Sequence, residues 1–590
     1  MLERSKQLWQ TMCAHGARGL LCCALLAGCS FDDEMTIAAP NTCTLPTDCD
    51  EGLKCQAGVC VQAANAPLNV TLEVTPKRMP DGSQPFPILY GPFPLQDAQR
   101  DFPLPLPIAV SGTIKNDKEN INAQLSFLQL KTPASLARPI QARSSLIGLR
   151  AGFSVQLLSG KEYRVTVQPP TESKLPPYSM VFTATPGESL DIDYKTLPST
   201  TQNFWIKNLP TLADGQKFVL KARDKTTNDV ISSAEDLVGG RGALQFLQSP
   251  LPAYKLELVV EKNFGALTAA AGSSCNTAAP QVPTYTIDDS ALKREASTKT
   301  QGAFDLSVEL PTLPAAVPYS GEIQLCAPSK GAENLLVSLR SSGLAISNLP
   351  QGITASFSVS ATADRETTTR QTFCTRVVPG EYVVLVTPPA NVNCEIFAEK
   401  RQILAPTEEQ PDSLDLRQPT KLNGKILDNN MVPMANATID AIALGIDTTD
   451  MLAESDLTVP IYNRSRQASS KSNGTFELFV DVGVYDLIVK PPMQSGYGWQ
   501  IRPGLTVGSA RREDFSTRVD LAAPVLVEGS LRYMDNTANT RSSLAGADVH
   551  AYTVQNEGEP NARGVEIGHT QADEQGNVML LISPEFQLSW

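Results

Sequence analysis

The chain has 590 residues, 49 Lys+Arg against 62 Asp+Glu, and a formal net charge of −13. Length alone excludes a single hydrophobic core and predicts roughly four or five domains. An acidic chain lacks the phosphate-neutralising surface that drives nucleic-acid binding. At 42% apolar and 19% charged residues, it fits neither a disordered chain nor a polytopic membrane protein. The 44 Pro and 38 Gly favour turn-rich β architecture over long helices. Three His leave little material for acid–base or metal chemistry.

The first residues carry Arg4, Lys6 and Arg18 ahead of a short apolar run at 20–27. That run is too short to cross a bilayer and reads as the core of a secretory signal peptide. It ends in Leu26-Ala27-Gly28-Cys29, which resembles the bacterial lipobox. The resemblance implies cleavage after residue 28 and diacylation of Cys29, whose thiol accepts the lipid. Ser30 follows the anchor, which by analogy with lipoprotein sorting implies export to the outer membrane or cell surface. Two or three acyl chains hold a protein firmly where one would not. Removal of 1–28 leaves 562 residues with a net charge of −15.

Eight cysteines then remain in two groups. Cys43, Cys49, Cys55 and Cys60 crowd a segment too small for its own core, where disulfides are the usual remedy. Zinc is the competing reading, but Cys-x2-Cys knuckles and a nearby His are missing. Three pairings are possible; the segment resembles short epidermal-growth-factor-like modules, which implies Cys43–Cys55 with Cys49–Cys60. The second group, Cys275, Cys326, Cys374 and Cys394, predicts two more bridges of unassigned pairing.

Residues 61–107 are Pro-rich and end in Phe102-Pro103-Leu104-Pro105-Leu106-Pro107. Pro at that density predicts a stiff spacer, with one strand over 68–74. Beyond it the sequence repeats. Segments 163–167, 254–258, 382–386, 485–489 and 586–590 each open on an aromatic, Tyr163, Tyr254, Tyr382, Tyr485 or Phe586, and alternate like half-buried strands. Eight to ten residues earlier a second alternating strand starts, at Phe153, Leu244, Phe373, Phe476 or Val578. The gap predicts a β-hairpin. Further upstream Gly112, Gly321, Gly424 and Gly529 each sit inside an apolar strand, where Gly marks a bulge or close approach. Strands of small residues follow at 437–441 and 547–551.

These elements resemble the carboxypeptidase regulatory-like domain, a transthyretin-like β-sandwich. The fourth repeat fits it best, through Gly424, Ala437, Asn473-Gly474-Thr475-Phe476 and Gly483-Val484-Tyr485; the second lacks the Gly strand. The predicted fold is all-β: a serial array of Ig-like or transthyretin-like β-sandwich domains after a small disulfide-rich module. The boundaries are 1–28 (signal peptide), 29–66 (anchor and Cys-rich module), 67–198 (spacer and first sandwich), 199–264 (second), 265–417 (third), 418–495 (fourth) and 496–590 (linker and fifth).

Catalytic residues and cofactors are predicted to be none. Related domains of bacterial surface adhesins form Lys–Asn isopeptide bonds with a Glu relay four residues after the Tyr. Here those positions hold Val167, Leu258, Val386, Val489 and Trp590, so no such bond is predicted. His550 and His569 share the last repeat, and Asp548 lies on the face of His550. With no Gly-x-Ser-x-Gly segment to supply a nucleophile elbow, they read as surface polar residues. They also fall short of the His/Glu zinc constellation of a carboxypeptidase. Asp447, Asp450, Asp456 and Asp573-Glu574 lack EF-hand spacing and read as turns, so no metal is predicted. The one exposed-looking aromatic pair is Tyr497 and Trp499, which either stacks a sugar or packs a gap between domains.

The sequence therefore predicts a non-enzymatic, lipid-anchored surface or outer-membrane protein that presents β-sandwiches for envelope structure, adhesion or ligand display. The alternative is a carbohydrate- or peptide-binding accessory lipoprotein. Its partners would be the membrane, through the lipid, and a glycan or protein ligand, but not nucleic acid.

Overall fold

The structure is a computed structural model that describes residues 41–584 apart from internal segments, the longest being 263–282, 342–351 and 446–460. The signal peptide, Cys29, Cys275, Asp447, Asp450, Asp456 and the segment 586–590 lie outside the described residues. Regular structure among the described residues is strand, with single 3-10 turns such as Pro46–Asp48 and Met493–Ser495. The chain is an all-β array of sandwiches behind a small disulfide-rich module.

The fourth sandwich shows the plan. Thr420–Leu427 pairs antiparallel with Thr475–Val480 and parallel with Phe515–Asp520. The facing sheet runs Arg466–Ser469, Thr438–Ala443, Gly483–Lys490, Gln500–Val507. Leu422, Ile439, Phe476, Leu478 and Leu487 fill the space between them, as period-2 alternation requires of two packed sheets.

The two sequence motifs meet across the first sheet. Gly112 is the register partner of Phe153, Gly321 of Phe373, Gly424 of Phe476 and Gly529 of Val578. Gly is needed for close approach: a Cβ at Gly321 would lie 2.6 Å from the Phe373 ring, and one at Gly112 only 1.9 Å from the Leu190 carbonyl oxygen.

The expected hairpin is corrected. For Tyr163, Tyr254, Tyr382 and Tyr485 the strand before the aromatic and the strand that carries it belong to opposite sheets: Phe153–Leu158 pairs with Pro107–Gly112, whereas Glu162–Gln168 pairs with Gln124–Gln129. The short connection is a crossing between sheets, because both strands turn apolar faces into one core. The aromatic anchors that crossing. The Tyr485 hydroxyl donates to the Asp481 carbonyl (2.8 Å), that of Tyr382 to the Val378 carbonyl (2.7 Å), and that of Tyr163 accepts from the Leu158 amide (3.0 Å). This is the tyrosine-corner device of β-sandwiches.

The second repeat has the same plan without its glycine. Thr200–Lys207 takes the central place, antiparallel to Arg241–Phe246 and parallel to Phe304–Glu309. It therefore extends past the expected boundary at 264. Thr284–Ile287 also pairs with Ile353–Thr362, joining the second and third repeats in one eight-stranded sheet. One continuous core runs from Phe204 to Leu416.

The spacer expectation is overturned. Asn69–Thr75 (β1), Ile88–Pro94 (β2) and Ala98–Pro105 (β3) are strands of the last sandwich, with Val525–Asp535 (β4), Asp548–Gln555 (β5), Arg563–Gln571 (β6) and Asn577–Ile582 (β7). β3 runs parallel to β4, and β1 pairs antiparallel with β5. Phe102 and Leu104 point into the core, fully buried. Pro103 and Pro105 alternate with them on a strand paired along one edge only, where a missing N–H costs little. In the fourth sandwich the place that β1 holds beside β5 belongs to the Tyr485 strand; in the last sandwich Asn69–Thr75 fills it.

Candidate functional site

The disulfide module folds as Cys43–Cys55 and Cys49–Cys60, with Cα–Cα distances of 5.7 and 5.5 Å. Cys326 and Cys394 form a further bridge, and Cys374 is also disulfide-bonded. The module docks on the junction of the last two sandwiches. The Asn41 amide donates to the Ser495 carbonyl (2.6 Å) and its Nδ2 to the Gly496 carbonyl (2.9 Å). Asn429 Nδ2 donates to Asp50 (2.6 Å), and the Gln62 amide to the Pro524 carbonyl (3.0 Å).

This docking decides the fate of the aromatic pair. Tyr497 is 6% exposed, within the fourth core, and its hydroxyl bonds Asn429 Oδ1. Burial pushes its hydroxyl up to about 12. The expectation of an exposed Tyr497 is thus corrected: flanking glycines let the linker lie flush. Gly496 (φ 73°) lies against Asn41, and a Cβ at Gly498 would sit 2.7 Å from the Ser583 amide nitrogen. Trp499 is half-buried and bridges to Ile582. Lys490 Nζ lies 4.2 Å from the centroid of its ring, a cation–π contact that occupies one face.

Trp499 nevertheless lines the wall of an open cleft of about 1120 Å³ between the fourth and fifth sandwiches. Lys490 and Met493 face it from one side, and Glu528, Arg532 and His569 from the other. An open cleft at a domain junction, with mixed charges and the Tyr497 and Trp499 rings in its wall, suits a polar, extended ligand.

Next to it the structure gathers residues that the sequence read as scattered surface polarity. His550 on β5 is the register partner of His569 on β6 and of Glu73 on β1. The two rings stack with centroids 4.4 Å apart. Asp548 takes both: Oδ2 lies 3.1 Å from His550 Nε2 and Oδ1 2.6 Å from His569 Nε2. Glu566 Oε1 is 2.6 Å from His550 Nδ1. That bond is the main reason the imidazole is raised above its ordinary range. Burial opposes ionisation of Asp548, but the bonds from His569 and His550 win and hold it below the usual carboxylate range. Burial raises Glu73, whose Oε2 makes no hydrogen bond and lies 3.8 Å from Arg138 Nε of the first sandwich. Both histidines bond carboxylates rather than a hydroxyl.

Asp573 behaves as a turn residue. Its Oδ1 accepts from the amides of Gln575 (2.9 Å) and Asn577 (2.7 Å). Val167, Leu258, Val386 and Val489, at the place of an isopeptide relay, are fully buried apolar residues.

No family model matches the chain, and no curated protein matches it. Among solved structures, the Bacillus anthracis TIE protein is 11% identical over 68% of this chain and 69% of its own, with a TM-score of 0.15. A streptococcal ancillary pilin is 11% identical over 55% of this chain and 99% of its own, at 0.19. The pilus adhesin SpaC of Lactobacillus rhamnosus GG, in its open conformation, is 10% identical over 68% and 56%, at 0.15. Overlaps this slight transfer neither fold nor task; the fold rests on the strand pairing above.

Proposed function

We propose that the chain is an exported, non-enzymatic envelope lipoprotein, held to the outer membrane or cell surface by an acylated Cys29, and that it displays its β-sandwiches to ligands. The observation that carries export is the cysteine chemistry: three complete bridges, Cys43–Cys55, Cys49–Cys60 and Cys326–Cys394, belong to an oxidising compartment. The anchor follows from the lipobox-like Leu26-Ala27-Gly28-Cys29. The resemblance to carboxypeptidase regulatory-like domains supplies the architecture of a display scaffold and no chemistry. Among the described residues no helix is long and apolar enough to cross a membrane.

Cells fed a palmitate analogue should label the wild-type protein, in the membrane fraction, and leave Cys29→Ala unlabelled. Unlabelled wild type, or label that persists in the variant, defeats the anchor. The cleft favours a second reading, binding of a glycan or peptide, because Trp499 lines it. Glycan- or peptide-array binding that disappears on Trp499→Ala supports that reading. Loss of cell attachment without any soluble ligand supports the purely structural role.

A further inference from the structure

The cluster on the last sandwich has the layout of a metal site. Asp548 and His550 lie two residues apart on one strand, hence on one face, and His569 stands directly across on the next strand. One ligand atom from each of the three lies within 4.8 Å of the other two. A tetrahedral cation bonded at about 2.0–2.1 Å to each needs ligand atoms about 3.3 Å apart, a spacing that Asp548 Oδ2 and His550 Nε2 already approach at 3.1 Å. With Glu566 accepting from Nδ1–H, a neutral His550 would turn Nε2, which lies 3.1 Å from Asp548 Oδ2, toward the ion, the carboxylate–histidine support that orients metal-bound imidazoles. Glu73, 7% exposed and opposite His550, adds a further buried carboxylate beside the cluster, its Oε2 3.8 Å from Arg138 Nε. Three carboxylates thus surround two imidazoles, and Arg138 is the cation at the rim.

We infer that Asp548, His550 and His569 bind a divalent transition-metal cation of the zinc, nickel and copper class. Two nitrogens and one oxygen select these borderline ions over calcium or magnesium, which prefer an all-oxygen shell. Water fills the remaining positions. The site is open to entry, with side-chain exposures of 29% for His550, 37% for His569 and 47% for Asp548. The ion would tie β5 to β6 beside β1.

The test uses the mature chain with its disulfides intact and an affinity tag that contains no histidine. Calorimetric titration with zinc chloride should give one site per chain with micromolar or tighter affinity. His569→Ala and Asp548→Asn should each weaken it at least tenfold, and Glu566→Gln by about tenfold, as loss of a supporting carboxylate does. Cobalt substitution should give visible absorption that His569→Ala abolishes. To separate binding from folding, thermal unfolding is followed with and without zinc: the zinc-dependent rise in Tm should vanish in His569→Ala while metal-free Tm stays near wild type. The proposal fails if zinc does not saturate below about 100 µM, a free energy of only some 5 kcal/mol. It also fails if His569→Ala binds as well as wild type, or if calcium binds as tightly as zinc.

Discussion

The fourth and fifth sandwiches have the same plan and opposite histories in the chain. The fourth is contiguous: its central strand, its Phe476 partner, its Tyr485 strand and its parallel strand Phe515–Asp520 follow one another within 420–520. The fifth takes its central strand β4 and partner β7 from residues 525–582, but β1, β2 and β3 come from residues 69–105. Ser530 Oγ reaches Asp101 Oδ1 at 2.7 Å across 429 residues. The same slots are filled, so the core geometry is indifferent to the order in which strands arrive. What differs is loop closure: the entropy of bringing β1 to β5 must be met before that core exists, though its cost grows only slowly with length.

The largest effect should come from separating the pieces. Residues 418–523 expressed alone should fold cooperatively, whereas 524–590 alone should not; adding 67–106 in trans should restore β-sheet circular dichroism. Cooperative folding of 524–590 by itself would break the distinction. Next, Leu72→Ala and Leu487→Ala each remove a fully buried side chain, at a cost of about 2–5 kcal/mol. Hydrogen exchange should localise the damage: Leu72→Ala should expose amides of 525–582 far away in sequence and spare the fourth sandwich. Leu487→Ala should do the reverse.

A smaller effect is expected at the crossing. Tyr485→Phe deletes the bond to the Asp481 carbonyl and should cost about 1 kcal/mol, read from denaturant midpoints of the fourth sandwich. The smallest separates the two turns by pH. In the fourth sandwich the neutral Asn473 accepts from the Thr475 amide (3.1 Å). In the fifth, bonds from the Asn577 backbone lead in holding the Asp573 carboxyl below its usual range. A depressed carboxylate contributes stability above its unfolded pKa and loses it as pH falls through the folded value. Acid below the ordinary Asp range should therefore loosen the 573–577 turn and leave the 471–475 turn unchanged, as amide shifts would show.

Much of the repeat was legible because it is local. Gly424 and Phe476 each announce a strand through alternation, and register then makes them partners. The Cys43–Cys55 and Cys49–Cys60 pairs form within a segment that has few other ways to close. The sheet crossing was misread because a short gap looks the same whether the chain turns back or crosses over; the Tyr163, Tyr382 and Tyr485 hydroxyls tell them apart. The role of 69–105 was illegible because β1 and β3 alternate like any strand and carry no mark of their distant partners. Phe102 and Leu104 did signal a buried face, masked by the prolines between them. The His550–His569 contact depends on the pairing of β5 with β6, including a register shift between Ala551 and Tyr552, which spacing alone does not reveal.

The first strands sit inside the last sandwich, so everything from residue 106 to 524 is a loop fastened at its base by a non-covalent clasp. A protease that cuts once within that loop leaves two fragments still joined through β1, β3, β4 and β5. Tension applied ahead of residue 69 meets that clasp before it reaches the intervening sandwiches. The array is therefore tied at its root, and a single break in its length does not shed the intervening sandwiches from the last one.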